Sequence, residues 1–255
     1  MSKVRRFRVE SLQGLRAGDA VALPEAQARH LHVLRLTAGT EITVFDGAGR
    51  SALARLAETP EGPSAELILL SARPAVVVQG SSLLEARSLT LATAWPKGKR
   101  AALLVEKCSE LGVNLILPVR YARSVVHKAE GSESLARLRR IAAEAAKQCG
   151  RNDEPEIGAE RPFSQLLAAE AQEGLALLLD AHADLQLADF LLEKRAALRE
   201  QNLLLIVGPE GGLAPEESAA AAAAGVMGVR LARHVLRVET AALAACAVAG
   251  ALLEG

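Results

Sequence analysis

The sequence predicts an α/β protein in which a parallel sheet flanked by helices follows a small β-rich domain. Residues 88–255 alternate short apolar runs with amphipathic segments, the order typical of a parallel sheet covered on both faces. Residues 1–72 instead hold short apolar runs separated by turn signals. The stretch 73–87, which contains Pro, Gly and a Ser pair, marks the change in composition and is predicted to be a linker.

The first domain is predicted to be a small barrel or sandwich with one short helix. Its strands are expected at 5–10, 20–23, 41–46, 51–57 and 65–72. Turn signals such as DGAGR at 46–50 separate them. Only PEAQARHLHVLR, at 24–35, places its apolar residues at helical spacing.

The second domain is predicted to alternate strands with helices. Strands are expected at 88–94, 113–119, 175–181, 203–207 and 228–232. Helices are expected at 98–112, 133–150, 187–201, 215–224 and 239–253. In the helix at 133–150, the apolar stripe consists of Leu135, Leu138, Ile141, Ala142, Ala145 and Cys149.

Composition excludes several classes of protein. Lys and Arg together number 30, as do Asp and Glu, so only a local patch can attract an anionic partner. The three cysteines have no C-x-x-C spacing, and no two histidines lie at metal-ligand spacing, which predicts neither a disulfide framework nor a metal site. No stretch approaches the ~20 apolar residues of a membrane span, and the N-terminus has no apolar signal region. We therefore expect a soluble cytoplasmic protein with no membrane partner.

The loop GPEGG, residues 208–212, follows a predicted strand and precedes a helix that begins near Pro215. Ligands of open parallel sheets bind beyond the carboxyl ends of the strands, and glycines allow the backbone to approach them closely. Glu210 would repel a polyphosphate, and no P-loop or early dinucleotide fingerprint is present. A ligand with positive charge, such as S-adenosylmethionine, suits this loop. For the glycine cluster alone, a simple tight turn is the stronger interpretation.

A second loop, LARHVLRV at 231–238, holds the adjacent apolar residues Val235 and Leu236 before the last helix, which Glu239 or Thr240 can cap. These two side chains must be buried against something, such as an adenine ring or a partner chain. It is equally possible on this segment alone that they fill the core below the sheet.

Together these motifs resemble the ribosomal RNA small subunit methyltransferase E family, of the SPOUT class. IVGPEGGLAPEE at 206–217 is followed by VRLARHVLRVETAALAA at 229–245. KGKRAALLVEKCSELGVNLILPV at 97–119, RSVV at 123–126 and EAAKQCGRNDEPEI at 144–157 agree as well. The N-terminal RRFRVE and HLHVLRLTAGTEITVFDGAGR are similar to that family's PUA-like RNA-binding domain.

The resemblance implies a SPOUT-type parallel sheet with a C-terminal trefoil knot over 88–255, and a PUA-like barrel over 1–72. It implies a homodimer through the knot domain and transfer of a methyl group from S-adenosylmethionine to N3 of a uridine in 16S ribosomal RNA or the small subunit. The implied cofactor-binding residues are Asp180, Val207, Gly208, Pro209, Glu210, Gly211, Gly212, Leu231, Val235, Leu236, Arg237, Thr240 and Ala241.

Two residues are candidates for catalysis. The proton on uridine N3 must leave, so a base is needed, or a cation that stabilises the anion across N3, O2 and O4. Arg237 can supply the cation, and Glu239, or a water that it orients, can act as the base. The favoured alternative for Glu239 is that it only caps the last helix, with Arg237 as its ion-pair partner.

RNA contacts are expected from local basic clusters. The candidates are Arg5, Arg6, Lys97, Lys99, Arg100, Arg123, Gln148, Arg151 and Asn152. The group Gln148, Arg151 and Asn152 is predicted to hold the target nucleotide, whereas RLRR at 137–140 is predicted to be a solvated helix face. With four Phe, one Tyr and one Trp, a broad base-stacking platform is not expected.

Some positions depart from the family pattern. Ala232 stands where the family has a glycine, His234 where it has an arginine, and YA precedes Arg123 where a glutamate is usual. These departures keep two alternatives open: an RNA-binding or ribosome-assembly factor whose cofactor loop has decayed, and an enzyme that uses another adenine-containing ligand without RNA.

Overall fold

A computed structural model describes residues 5–57, 66–73, 88–124, 132–169, 171, 174–199 and 201–253. The chain divides into two compact units. The first combines 1–77 with 146–154, and the second combines 78–145 with 155–255. The stretch 146–154, which the sequence-based division assigns to the second domain, therefore packs with the first unit. The predicted linker, 73–87, lies outside the described residues except for Arg73, which ends a strand.

The first unit is built on a mixed five-stranded sheet. Its strands are β1 (Arg6–Arg8), β2 (Ala20–Ala22), β3 (Glu41–Phe45), β4 (Ser51–Leu56) and β5 (Glu66–Arg73), and its helix is α1 (Glu25–Val33). The spatial order is β1-β3-β4-β5-β2, with β1 parallel to β3 and every other pair antiparallel. Alternate residues of β4 are buried, the period expected of a sheet with one core face.

The second unit is built on a parallel sheet. Its strands are β6 (Leu89–Ala94), β7 (Leu115–Arg120), β8 (Glu156–Ile157), β9 (Arg161–Pro162), β10 (Gly174–Leu179), β11 (Asn202–Val207) and β12 (Met227–Val229). The order is β12-β10-β11-β6-β7-β8, with β9 also on β7, and every pair is parallel. Every residue of β6 is buried, as expected for a central strand with helices on both faces.

The helices of the second unit are α2 (Lys99–Glu110), α3 (Ser132–Cys149), α4 (Phe163–Ala169), α5 (Leu187–Lys194), α6 (Pro215–Ala223) and α7 (Val238–Leu253), with a 3₁₀ turn at Ala197–Arg199. Four of them, α2, α3, α6 and α7, begin and end close to the predicted positions, whereas α5 ends seven residues before the predicted end at 201 and α4 is not predicted. The last turn of α3 belongs to the first unit. Cys149 is exposed, so its predicted place in the apolar stripe is wrong.

Sequence patterns miss β8, β9 and α4. The two strands have only two residues each, too few for a periodic pattern, and they pair with β7 through backbone groups. Over the described part of the chain, no helix is both long and apolar enough to cross a membrane. The same residues contain no group of three or more His, Cys, Asp or Glu placed to hold a metal ion.

Candidate active site

A cavity of about 490 Å³ lies at the carboxyl edge of the parallel sheet. Because all strands of this sheet run in the same direction, the loops after β10, β11 and β12 meet at one edge. The cavity is lined by Leu178, Leu179, Asp180, Ala181, His182, Val207, Gly208, Pro209, Glu210, Gly211, Gly212, Leu213, Ser218, Leu231, Ala232, His234, Val235, Leu236, Val238 and Ala241. Its volume is in the range of small-molecule and cofactor sites.

The loop between β11 and α6 is a tight turn whose glycines serve different purposes. The Gly212 amide donates to the Pro209 carbonyl at 2.9 Å, and Gly212 has a φ of 68°, in the left-handed region that favours glycine. A Cβ added at Gly208 would lie 2.6 Å from Cδ1 of Leu213. The loop therefore depends on glycine at 212 for backbone conformation, whereas a side chain at 208 would require the Leu213 side chain to move.

The loop between β12 and α7 leaves its two apolar residues away from the core. Val235 is 80% exposed, Leu236 is half-buried, and both line the cavity. The possibility that they fill the core below the sheet is therefore wrong. An apolar side chain this exposed at a cavity wall is available to contact a ligand or a partner chain.

The loop after β10 forms a third side of the cavity, beside the loops after β11 and β12. The Asp180 amide donates to the Val229 carbonyl at 2.9 Å, and the Asp180 carboxylate accepts from the His182 amide at 2.8 Å. These bonds hold Asp180 against the start of the second loop while the residue remains exposed at the cavity.

The charged residues that line the cavity favour a cationic ligand. Asp180 and Glu210 contribute carboxylates, and none of the described lining residues is Lys or Arg. A polyphosphate would be repelled, whereas a ligand with cationic groups and an apolar ring would meet carboxylates, aliphatic side chains and glycine backbone. The residues present thus fit the sulfonium, amino group and adenine of S-adenosylmethionine.

Comparison with known proteins gives the family. Models of the RNA methyltransferase domain and of the RNA methyltransferase PUA domain match residues 84–250 and 23–70. The ribosomal RNA small subunit methyltransferase E of Synechocystis is 33% identical over 236 residues, which cover 92% of this chain and 74% of that protein. The protein of the same name from Mycobacterium bovis is 32% identical, with coverage of 86% and 81%. The chain belongs to the ribosomal RNA small subunit methyltransferase E family.

Solved structures agree with this family over nearly the whole chain. A ribosomal RNA small subunit methyltransferase E from Neisseria gonorrhoeae, bound to S-adenosyl methionine, has a TM-score of 0.78 and 31% identity, with 96% of both chains covered. A Legionella pneumophila methyltransferase in complex with the same cofactor has a TM-score of 0.76 and 27% identity, with 98% of both chains covered. The predicted α/β fold is confirmed, and the N-terminal mixed sheet is compatible with a PUA-like domain.

Eleven of the predicted cofactor residues line the cavity of this methyltransferase E family member, and two do not. Arg237 and Thr240 are both exposed outside the lining, although Leu236 and Val238 beside Arg237 belong to it. The sequence prediction missed Leu178, Leu179, Ala181, His182, Leu213, Ser218, Ala232, His234 and Val238. Most of these residues are immediate neighbours of predicted ones, so extending each predicted stretch by one residue would have included them.

Glu239 has a different partner from the predicted one. Helix α7 begins at Val238, so Glu239 and Thr240 lie in its first turn rather than before it. Glu239 is only 8% exposed, and its Oε1 lies 3.6 Å from Nη1 of Arg100 in α2. Its Oε2 is buried and has no hydrogen-bond partner among the described residues. The predicted pairing with Arg237 is therefore replaced by an ion pair between two helices.

The predicted RNA contacts of this methyltransferase family member divide into two groups. Lys97, Lys99 and Arg100 are exposed at the carboxyl end of β6, on the same sheet edge as the cavity. Arg123 is exposed, and its guanidinium donates to the Gly211 carbonyl at 3.1 Å. Arg5 is exposed in the first unit.

Three of the remaining candidates, Arg6, Arg151 and Asn152, have structural contacts inside the first unit. Asn152 is 7% exposed, and its Oδ1 accepts from Nη2 of Arg6 at 2.6 Å. The same Arg6 nitrogen donates to the Arg151 carbonyl at 2.9 Å, and its guanidinium lies 5.1 Å from the centroid of the Phe45 ring. Arg151 pairs with Asp153. Asn152 is buried and Gln148 is exposed, and the role of this group as a nucleotide contact stays a prediction.

Proposed function

We propose that this protein transfers a methyl group from S-adenosylmethionine to N3 of a uridine in 16S ribosomal RNA. Family membership supports an RNA methyltransferase, and the relative from Neisseria gonorrhoeae was solved with S-adenosyl methionine. The observation that carries the proposal is the single cavity shared by loops 208–212 and 231–237, with carboxylates and no lysine or arginine among its described lining residues.

The cofactor, when bound, supplies an activated methyl group on a sulfonium leaving group. The protein then needs mainly to hold cofactor and acceptor in line and to balance charge at the acceptor. Glycine backbone at 208–212 provides a close-fitting wall, and Val235 and Leu236 provide an apolar surface for an adenine ring. Asp180 and Glu210 favour the cationic groups of the cofactor.

Arg237 is the proposed catalytic residue. Transfer of the N3 proton to a solvent water leaves negative charge over N3, O2 and O4 of the base, and a nearby guanidinium stabilises that anion. Arg237 is exposed between two cavity-lining residues, so its side chain is available to an acceptor that reaches the cavity from solvent. Glu239 is proposed to hold Arg100 and the start of α7, because it is buried and lies outside the cavity lining.

The RNA substrate is proposed to bind through local basic groups rather than a global field. Lys97, Lys99 and Arg100 are exposed at the cavity edge of the sheet, and Arg5 and Gln148 are exposed in the first unit, whose family counterpart is an RNA methyltransferase PUA domain. Lysine and arginine gain affinity for phosphates by releasing counterions.

Further parts of the proposal are a trefoil knot formed by the cofactor loops, a homodimer through the second unit, domain limits near 72 and 88, and action in the cytoplasm.

The proposal is tested by incubating the purified protein with methyl-labelled S-adenosylmethionine and unmodified small ribosomal subunits. Nuclease digestion and mass spectrometry should then find labelled 3-methyluridine at one position. Naked 16S RNA and large subunits serve as controls. Label at another atom of uridine would contradict the N3 assignment, and RNA binding without any transfer would favour a non-enzymatic assembly factor.

A further inference from the structure

The turn after β7, residues 121–124, contacts the segment from the last residue of β11 to the first turn of α6 at three points. The Tyr121 hydroxyl donates to the Val207 carbonyl at 3.2 Å, where the loop begins. Nη1 of Arg123 donates to the Gly211 carbonyl at 3.1 Å, in the middle of the loop. The Ala122 amide donates to Oε1 of Glu217 at 2.8 Å, in the first turn of α6. We call residues 121–124 the brace.

The brace is itself firmly held. Tyr121 is 3% exposed, and its ring centroid lies 5.0 Å from that of Phe163 in α4. Burial, and then the nearby Glu217 carboxylate, raise the pKa of Tyr121, so its hydroxyl remains a protonated donor. The Tyr121 amide donates to Oγ of Ser124 at 3.1 Å, and the Ser124 amide donates to the Tyr121 carbonyl at 3.1 Å. A turn fixed in this way can support the neighbouring glycine loop.

Arg123 packs against Gly211 of the loop as well as donating a hydrogen bond to it. A Cβ added at Gly211 would lie 3.5 Å from Cβ of Arg123, so the arginine stem lies directly against the glycine. Because the peptide bond is planar, a donor on the Gly211 carbonyl also fixes the orientation of the Gly212 amide. Both glycines line the cavity.

We propose that Arg123 is a positioning residue that presets the cofactor loop, and that it is not a phosphate contact for RNA. This inference rests on the proposed function, in which loop 208–212 binds S-adenosylmethionine. Glycine-rich backbone loses much conformational entropy when it is ordered, and a loop already held in its binding conformation avoids that cost on binding. Without the Arg123 hydrogen bond, the cofactor must order the loop itself.

The test compares Arg123→Met with the matched variant Arg120→Met. Methionine keeps the long stem and removes the donor and the charge. Arg120 is three residues away, is exposed, and pairs with Glu160 at 3.0 Å instead of with the loop. Calorimetric titration with S-adenosylmethionine should give a Kd about threefold to tenfold higher for Arg123→Met and unchanged for Arg120→Met. Thermal unfolding midpoints check that both variants are folded.

A second measurement separates positioning from RNA binding. Affinity for a 16S RNA transcript without cofactor should be the same for the wild type and for Arg123→Met, and only KM for S-adenosylmethionine should rise in the methyl-transfer assay. An unchanged Kd for the cofactor, an equal loss in Arg120→Met, or weaker RNA binding would each overturn the inference. A wild-type protein that binds no S-adenosylmethionine would instead contradict the proposed function.

Discussion

At the scale of single residues, the site depends on a few side chains whose neighbours decide their roles. Arg237 and Glu239 are two positions apart, yet Arg237 is exposed, whereas Glu239 is buried and paired with Arg100. Their sequence spacing predicts a mutual ion pair or a shared catalytic role. The structure separates them because the start of α7 packs Glu239 against α2 and leaves Arg237 in the loop.

Replacement of Arg237 tests the proposed stabilisation of the uridine anion. Arg237→Ala should lower kcat for methyl transfer about 100-fold, the usual loss when one electrostatic stabiliser of a transition state is removed. The Kd for S-adenosylmethionine should change little, because Arg237 lies outside the described cavity lining. Single-turnover rates and calorimetry measure the two quantities.

Arg233→Ala is the matched control, since Arg233 is an exposed arginine of the same loop that also lies outside the lining. Its kcat should equal that of the wild type. Equal losses in both variants would show that the loop needs positive charge in general, and an unchanged kcat in Arg237→Ala would remove Arg237 from the mechanism.

At the scale of secondary-structure elements, the start of α6 joins the cofactor loop to the brace. Ala214 precedes the helix and Pro215 begins it, a common arrangement because proline lacks the amide that would be unpaired there. Oε2 of Glu217 accepts from the Ala214 amide at 2.9 Å, while Oε1 accepts from the Ala122 amide at 2.8 Å. One carboxylate thus caps the helix and holds the neighbouring turn.

This double role predicts a difference between two adjacent glutamates. Glu217→Ala should lower the free energy of unfolding by about 1 kcal/mol more than Glu216→Ala. Both variants remove one negative charge from the first turn of α6, so the effect on the helix dipole is matched. Glu216 is exposed, whereas Glu217 is partly buried with both oxygens hydrogen-bonded. Urea denaturation of both variants measures the difference, and equal destabilisation would contradict the role given to the Glu217 hydrogen bonds.

At the scale of the whole molecule, the sequence predicts the order of strands and helices and the place of the site better than the hydrogen-bonded residue pairs that stabilise them. Strand ends, glycines and proline are local signals that predict a turn at 208–212, whereas only the resemblance to the family predicts that this loop and loop 231–237 border one site. Arg123 and Gly211 are 88 positions apart, and Arg6 and Asn152 are 146 positions apart. In the sequence alone, neither arginine can be distinguished from a basic residue that contacts RNA. Only the fold decides which basic residues are used inside the protein, so the sequence alone cannot distinguish the contact between Arg6 and Asn152 from a nucleotide contact.

The central claim is that loops 208–212 and 231–237 enclose one molecule of S-adenosylmethionine. Amide hydrogen exchange with and without the cofactor measures this most directly, with the strands of the first unit as an internal reference. If both loops contact the cofactor, amide exchange becomes slower in both loops at the same cofactor concentration and does not change in β3 or β4. Protection of only one loop, or protection confined to another part of the chain, would contradict the claim.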